Sequence, residues 1–149
     1  MSGKKILILG AGGVAPSIIF ALYKMKAANI MLSNRTKINA ENLKILFNKL
    51  NVINWGEIPD FDMIINTTSI GLKSSDEFDF NLSKLKGGDF FYDVIYNPPE
   101  TRFLKNAKQQ GKKTANGIKM FIYQAAESFE IWHGIRPQID EETKKLLGE

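Results

Sequence analysis

The sequence predicts an α/β fold in which about six parallel strands, in the order 3-2-1-4-5-6, form a doubly wound sheet with helices on both faces. Short apolar runs alternate with stretches of helical periodicity along the chain, and the loops between them are short. The first strand–helix–strand unit, residues 4–34, has roughly the 30 residues of a right-handed crossover. The length of 149 residues suits one domain over residues 1–149.

The first half of the chain supplies four strands and two helices in this prediction. Ile6–Leu9 is an apolar block typical of a strand that is covered on both faces. The next helix begins near Pro16, where the missing N–H costs nothing, and its apolar pairs should face the sheet: Ile18 with Leu22, and Ile19 with Tyr23. The remaining elements are a strand over Asn29–Ser33, a helix over Ile38–Leu50, a brief strand near Val52 and Ile53, and a strand over Asp62–Asn66.

The second half continues the alternation. The predicted elements are a strand over Phe90–Ile95, a helix over Thr101–Gln110, a short strand over Lys113–Ala115, an amphipathic helix over Ile118–Trp132 and a charged helix over Glu141–Leu147. The amphipathic helix has one aromatic face that we expect in the core: Phe121, Ala125, Phe129 and Trp132. Pro98 and Pro99 end the strand before them, which leaves Tyr96 at a carboxyl strand end, where ligands bind in such sheets.

Composition limits the classes of function. The chain has no cysteine and no signal-peptide pattern, which excludes disulfide and thiolate chemistry and predicts a cytoplasmic protein. No apolar run approaches the roughly 18 residues that span a bilayer, and the lysines behind the net charge of +4 are spread along the chain. We therefore expect neither a membrane nor a nucleic acid as partner. The acids show no metal-ligand pattern, and we expect His133, at a helix end, not to be catalytic.

A glycine-rich turn follows the first predicted strand. Residues 10–15, GAGGVA, fit G-x-G-x-x-[G/A] with Gly10, Gly12 and Ala15 in the three positions. Gly10 permits the tight turn, Gly12 allows backbone to approach a pyrophosphate, and Ala15 lets helix and strand pack closely. Since a helix N-terminus attracts phosphate, the segment predicts a dinucleotide site of the Rossmann type. The strand, helix and second strand of suitable length favour this over a plain glycine turn.

The end of the second predicted strand carries SNRT, residues 33–36. NAD sites usually place Asp or Glu here to accept from the ribose 2′-OH, whereas an arginine accommodates a 2′-phosphate. Asn34, Arg35 and Thr36 occupy this place, and the first acid after them is Glu41. Because a guanidinium can hold phosphate through two hydrogen bonds, Arg35 predicts NADP in preference to NAD.

Three further stretches complete a resemblance to a known family. They are NTTSIG at 66–71, DVIYNPPETRFL at 93–104 and NGIKMFIYQAAESFEIWHG at 116–134. With the glycine turn and NRT, they resemble the C-terminal, NADP-binding half of shikimate dehydrogenases, which are two-domain oxidoreductases, over residues 4 to about 137. The tyrosine-asparagine-proline turn and the long helix are the more specific motifs, since NRT also occurs in other NADP reductases such as glutamyl-tRNA reductase.

The resemblance implies reversible hydride transfer between NADP and the hydroxyl-bearing ring carbon of shikimate, with 3-dehydroshikimate as the oxidised partner. It implies that the pyrophosphate is held by Gly10, Ala11, Gly12, Gly13, Val14 and Ala15, and that the adenosine ribose and its 2′-phosphate are held by Asn34, Arg35 and Thr36. Thr68 and Ser69 would lie along the cofactor, and Val94, Gly117 and Met120 would border the nicotinamide. Tyr96 and Gln124 would contact the substrate.

Two departures from the family pattern qualify these expectations. Many relatives carry a second basic residue four positions after the arginine of NRT, where this chain has Asn39, and Lys37 nearby compensates only in part. The family's catalytic lysine and aspartate belong to an N-terminal substrate domain, and this chain begins directly before the first predicted strand. We therefore expect no catalytic residue here and no turnover of shikimate without that missing domain.

Two other functions fit the same residues. One is a stand-alone NADP-binding module or sensor, and the other is a related quinate- or shikimate-type NADP oxidoreductase. The groups that select the substrate would lie mostly in the missing domain, so these alternatives stay open at this point, as does the oligomeric state.

Overall fold

The computed structural model describes residues 2–80 and 87–146, and these residues form a six-stranded sheet. The strands are β1 (Lys5–Leu9), β2 (Asn29–Ser33), β3 (Leu50–Ile53), β4 (Met63–Asn66), β5 (Phe90–Asp93) and β6 (Lys113–Ala115). All neighbours pair in parallel, in the order β3-β2-β1-β4-β5-β6. The predicted fold class and strand order are confirmed.

The described residues contain five helices, of which the first two pack on one face of the sheet and the third packs on the other. They are α1 (Ala15–Lys24), α2 (Lys37–Leu46), α3 (Arg102–Gln109), α4 (Ile118–His133) and α5 (Glu141–Leu146), and residue 147, the predicted end of the last helix, lies outside the described residues. Alternate residues of a strand point to opposite faces. Ile8 therefore packs with Ile19 of α1 in one apolar cluster, whereas Leu7 packs with Phe103 of α3 in the other.

The central strand β1 carries the glycine turn at its carboxyl end. Ile6, Leu7 and Ile8 of this strand are 0% exposed, because helices lie above and below it and strands pair on both sides. Full burial of each such side chain stabilises the fold by roughly 1.5–3 kcal/mol. The turn is thus attached to a strand whose last four residues are all buried.

The second helix is shorter than the sequence predicts. Periodicity suggests a helix over Ile38–Leu50, but α2 ends at Leu46, and Leu50 opens β3, where it is buried opposite Ile30. The Leu50 N–H donates to the Phe47 carbonyl at 2.8 Å in a tight turn. An apolar residue at helical spacing from Leu46 therefore belongs to the sheet, which is why periodicity misplaces the boundary.

The core face predicted for the long helix is wrong. The side chains that α4 buries are Ile118, Ile122 and Ala126, whereas Phe129 is 43% and Trp132 is 76% exposed. Both sets have helical spacing, so periodicity alone does not say which one packs inward. Within the described residues, the aromatic face is left largely to solvent.

Candidate cofactor site

A cleft of about 740 Å³ opens at the carboxyl ends of the central strands. Its walls come from the glycine turn after β1, the residues after β2, Trp55 after β3 and the loop after β4. The chain order reverses between β1 and β4, which is the point where ligands bind in open parallel sheets. The fold therefore brings the separate sequence motifs together in one cleft.

Most of the residues predicted to bind the cofactor line this cleft. They are Gly10, Ala11, Gly12, Asn34, Arg35, Thr36, Thr68 and Ser69. Gly13 and Val14 continue the turn into α1, which begins at the fully buried Ala15. The shared location agrees with the prediction, while the role of each residue toward a nucleotide stays a prediction.

Space around the glycine turn differs from one glycine to the next. Gly10 has φ +104°, and a Cβ there would lie 2.8 Å from Thr68 Cγ2 and 2.9 Å from Thr67 Oγ1. A Cβ at Gly12 or Gly13 would meet nothing within 4 Å. Gly10 is thus required by the packing of the fold, whereas the open space at Gly12 and Gly13 lies before the N-terminus of α1. A pyrophosphate group fits such a place.

The Asn34 side chain ties the glycine turn to the arginine loop. Its Oδ1 accepts from the Ala11 N–H at 3.0 Å, and its Nδ2 donates to the Thr36 carbonyl at 2.7 Å. Sequence analysis predicts a ribose contact for Asn34 and does not foresee these backbone partners. The amide therefore has a positioning role that only the tertiary structure reveals.

Arg35 supplies the positive charge of the cleft. It is exposed, and among the described residues that line the cleft it is the only lysine or arginine. Lys37 lies close by, but its Nζ donates to Asn54 Oδ1 at 3.0 Å. Asn39, the departure from the family pattern, also lines the cleft and brings no charge.

The loop after β4 adds two acids that sequence analysis did not include in the site, Asp76 and Glu77. Both have partners of their own. Asp76 accepts from the Lys73 N–H at 3.0 Å, and Glu77 forms an ion pair with Arg102. These contacts hold the acids on their own side of the cleft.

A buried polar network joins the cleft to the next strand. Asp93, which is 0% exposed, accepts from Thr101 Oγ1 at 2.6 Å and from Asn66 Nδ2 at 3.1 Å. Asn66 Oδ1 in turn accepts from the hydroxyl of Thr68 at 2.7 Å. Burial raises the pKa of the Asp93 carboxyl above its ordinary value. The network therefore fixes Thr68 relative to the segment that leads to Val94.

Val94 and Gly117, the predicted neighbours of the nicotinamide, touch each other. A Cβ at Gly117 would overlap the Val94 carbonyl, and the Gly117 N–H donates to the Ile95 carbonyl at 3.2 Å. Met120, the third predicted neighbour, lies in the first turn of α4 and is partly buried. The close approach explains why a glycine precedes this helix.

Tyr96 and Gln124, the predicted substrate contacts, lie in one region of the surface. The Tyr96 ring is 41% exposed and stacks on Phe121 of α4, with ring centroids 4.5 Å apart and an interplanar angle of 25°. Gln124 is exposed and follows Phe121 by about one helical turn. His133 is at the opposite end of α4, where its ring lies 4.4 Å from that of Phe129.

Sequence analysis missed Trp55 as a residue of the cleft. The signal was present, because the predicted strand near Val52 and Ile53 stands beside the second strand in the predicted order. A residue just after it should therefore lie next to Arg35. Among the described residues, no cluster of three or more histidines or acids could hold a metal ion, and no described helix is long and apolar enough to cross a bilayer.

Comparisons with known proteins show the family of the chain. Residues 1–76 match the family model for shikimate / quinate 5-dehydrogenase, and residues 117–141 match that for the shikimate 5'-dehydrogenase C-terminal domain. A shikimate dehydrogenase (NADP(+)) from Pelagibacter ubique (strain HTCC1062) is 58% identical over 147 residues, which cover 99% of this chain and 56% of that protein.

Solved structures show the same architecture. Shikimate dehydrogenase from Aquifex aeolicus superposes with a TM-score of 0.84 at 38% identity, over 98% of this chain and 53% of that one. A shikimate dehydrogenase solved in complex with NADP+ gives a TM-score of 0.83 at 37% identity, over 99% of this chain and 54% of that one. The chain thus spans about half the length of the relatives it matches. With one family model covering just over half of its residues and close relatives along its whole length, the chain belongs to the shikimate / quinate 5-dehydrogenase family.

Proposed function

We propose that residues 1–149 bind NADP+ in the cleft and form the cofactor-binding half of a cytoplasmic, two-domain shikimate dehydrogenase. Such an enzyme interconverts shikimate and 3-dehydroshikimate. The observation that carries the proposal is Arg35, which is exposed on the cleft directly after β2, where a dinucleotide places its adenosine ribose. A guanidinium there favours a 2′-phosphate, which an aspartate or glutamate would repel.

In this proposal, residues of the cleft hold the pyrophosphate and the 2′-phosphate, and residues outside its lining lie at the nicotinamide and the substrate. The open space at Gly12 and Gly13 accepts the pyrophosphate, and Arg35 binds the 2′-phosphate. Val94, Gly117 and Met120 border the nicotinamide, and Tyr96 and Gln124 contact the substrate. When bound, NADP+ supplies the acceptor for a hydride. We assign no catalytic residue to this chain, since the lysine and aspartate that handle the proton belong to the other domain in this proposal.

A charge-removing substitution at Arg35 tests the cofactor. We expect Arg35→Ala to weaken NADP+ binding by roughly tenfold or more while NAD+ binding stays nearly unchanged, because hydrogen bonds to a charged group contribute about 1.5–3 kcal/mol each. Isothermal titration calorimetry of both nucleotides measures the two effects. Arg136→Ala is the matched control, since Arg136 is also exposed but pairs with Glu127 and Glu130 of α4. Equal losses for the two nucleotides would mean that Arg35 does not recognise the 2′-phosphate.

An apolar face of α4 is an argument for the proposed second domain. This face consists of Phe121, Ala125, Phe129 and Trp132. Isolated exposed apolar residues are common on proteins, but a continuous stripe is typical of an interaction surface. This stripe includes Trp132 at 76% exposure, and Ile131 and Ile135 extend the exposed apolar surface at 79% and 67%. Its first member, Phe121, stacks on Tyr96. A domain docked on the stripe would therefore stand beside the predicted substrate contacts.

A further inference from the structure

Trp55 is the only aromatic side chain among the described residues that line the cleft. It follows β3, and β3 pairs with β2, whose end carries Arg35. Trp55 therefore lies on the Arg35 side of the cleft. The other large apolar residue of the lining, Ile70, follows β4 and lies on the opposite side.

The indole of Trp55 is held in place from several directions. Its Nε1 donates to Asp79 Oδ1 at 2.6 Å, and the Phe80 ring meets it nearly edge-on, with centroids 5.2 Å apart at 83°. The residue before it, Asn54, accepts from the Ser33 hydroxyl at 3.0 Å through its backbone carbonyl. The ring is only partly buried, so one part packs against the core while another borders the cleft.

An adenine base binds well to a flat apolar surface of fixed orientation. Stacking on an aromatic side chain stabilises a base, and a ring that is already fixed loses little conformational freedom on binding. Arg35, next to Trp55 across the β2–β3 edge, is the residue proposed to hold the phosphate on the adenosine ribose. Building on the proposed function, we infer that Trp55 is the platform for the adenine ring of NADP+.

Fluorescence of the protein tests this placement directly. The chain contains two tryptophans, and Trp132→Phe leaves Trp55 as the only tryptophan without altering any residue of the cleft. We expect adenosine 2′,5′-bisphosphate, which lacks the nicotinamide, to quench the emission of this variant to saturation. The dissociation constant from quenching should equal that from calorimetry. Nicotinamide mononucleotide, which lacks adenine, is the matched ligand control and should leave the emission unchanged.

Two substitutions separate stacking from folding. Trp55→Ala should weaken binding of adenosine 2′,5′-bisphosphate by roughly fivefold or more, whereas Trp55→Phe, which keeps a ring for both the core and the base, should weaken it less than about threefold. Because Trp55→Ala also removes packing against Phe78 and Phe80, the phenylalanine variant and the emission of the native residue keep the test valid if the alanine variant unfolds.

The outcomes distinguish this inference from the proposed function. Binding of the bisphosphate by calorimetry without a change in Trp55 emission would overturn the inference and leave the proposed function standing. A Trp55→Ala variant that folds and binds as tightly as the native chain would do the same. If neither the bisphosphate nor NADP+ binds at all, the proposed function fails and the inference fails with it.

Discussion

Gly10 and Gly12 stand two positions apart in the same turn, yet an added methyl group meets different surroundings at each. At Gly10 it would be forced against Thr67 and Thr68, in a backbone conformation with φ +104°. At Gly12 it would extend into open space. The packing of the fold therefore requires the first glycine but places no such demand on the second.

This contrast gives a paired prediction. Gly10→Ala should lower the free energy of unfolding by about 2 kcal/mol or more, from backbone strain and the clash with Thr67 and Thr68. Gly12→Ala should change it by less than about 1 kcal/mol but weaken NADP+ binding, since the methyl group takes space needed by the pyrophosphate. Urea unfolding and calorimetry measure the two quantities. Equal losses of stability in both variants would show that Gly12 is packed in solution.

Some residues of the site could be predicted from the sequence, and others could not. Gly10, Arg35 and Thr68 could be placed in one site because each follows a strand, and parallel strands end at one edge. The backbone contacts of Asn34 could not, because they join residues 23 positions apart in a geometry set by packing. Trp55 was missed although its position followed from the predicted strand order.

Among the elements, the ends of β4 and β5 and the start of α3 are joined by one carboxylate. Asp93 accepts hydrogen bonds from Asn66, which closes β4, and from Thr101, whose hydroxyl also accepts from the Leu104 N–H at the N-terminus of α3. Its backbone neighbour Val94 is a predicted contact of the nicotinamide. The stability of this junction should therefore depend on the charge of Asp93.

The sign of that dependence follows from the raised pKa. Burial lifts the pKa of Asp93 above 3.8, so the folded chain binds this proton more tightly than the unfolded chain does. The contribution of Asp93 to stability is complete below pH 3.8 and is lost as the pH rises through the raised pKa. The amide introduced by Asp93→Asn does not titrate. We therefore predict that, as the pH rises through this range, the free energy of unfolding of the variant falls less than that of the native chain. Urea unfolding at a series of pH values measures both.

Asp62 provides a control of opposite sign. A hydrogen bond from Lys4 lowers the pKa of Asp62, so its contribution is present above pH 3.8 and is lost as the pH falls through the lowered pKa. As the pH falls, the free energy of unfolding of the Asp62→Asn variant should thus decrease less than that of the native chain. If Asp93→Asn gave the same pH profile as the native chain, the carboxylate would not be the group that titrates.

Element boundaries were predictable where one signal acts alone. Pro16 and the apolar pairs behind it placed α1, and the helix predicted over Thr101–Gln110 differs from α3 by one residue at each end. The end of α2 was not predictable, because Leu50 satisfies both a helical spacing and a buried strand position. The inward face of α4 was not predictable either, since two apolar stripes run along the same helix and the choice depends on what the rest of the molecule covers.

At the scale of the whole molecule, the exposed apolar face of α4 is the surface on which a second domain would dock in the proposed enzyme. The relatives continue for nearly half of their length beyond the part that this chain matches. The aromatic side chains exposed on this face, Phe129 and Trp132, should be covered by the second domain in the proposed enzyme.

Substitutions on that face should have little effect on the stability of this chain and should lower the activity of the proposed two-domain enzyme. We predict that Phe129→Ser with Trp132→Ser changes the unfolding free energy of this chain by less than about 1 kcal/mol. In a fusion with the N-terminal part of the Pelagibacter relative, the same pair should lower NADP+-dependent oxidation of shikimate by roughly tenfold or more, because positioning between domains is lost. The assay follows NADPH absorbance, with quinate as a second substrate.

Ile45→Ser is the matched control, since Ile45 is 81% exposed but lies on α2. It should affect neither stability nor activity. A doubly substituted fusion that oxidises shikimate as fast as the unsubstituted fusion would show that the domain docks elsewhere. A well-folded unsubstituted fusion without activity on either substrate would instead count against the proposed enzyme.

The two contacts of the Asn34 amide have one more consequence. They join the backbone at Ala11 to the backbone at Thr36 with bonds of 3.0 and 2.7 Å. In the proposed complex, the segment at Ala11 binds the pyrophosphate, and the segment at Thr36 binds the adenosine ribose and its 2′-phosphate. The distance between these two binding positions is therefore set when the polypeptide folds. In the proposed complex, the cleft would select molecules whose two anionic groups are separated by that distance.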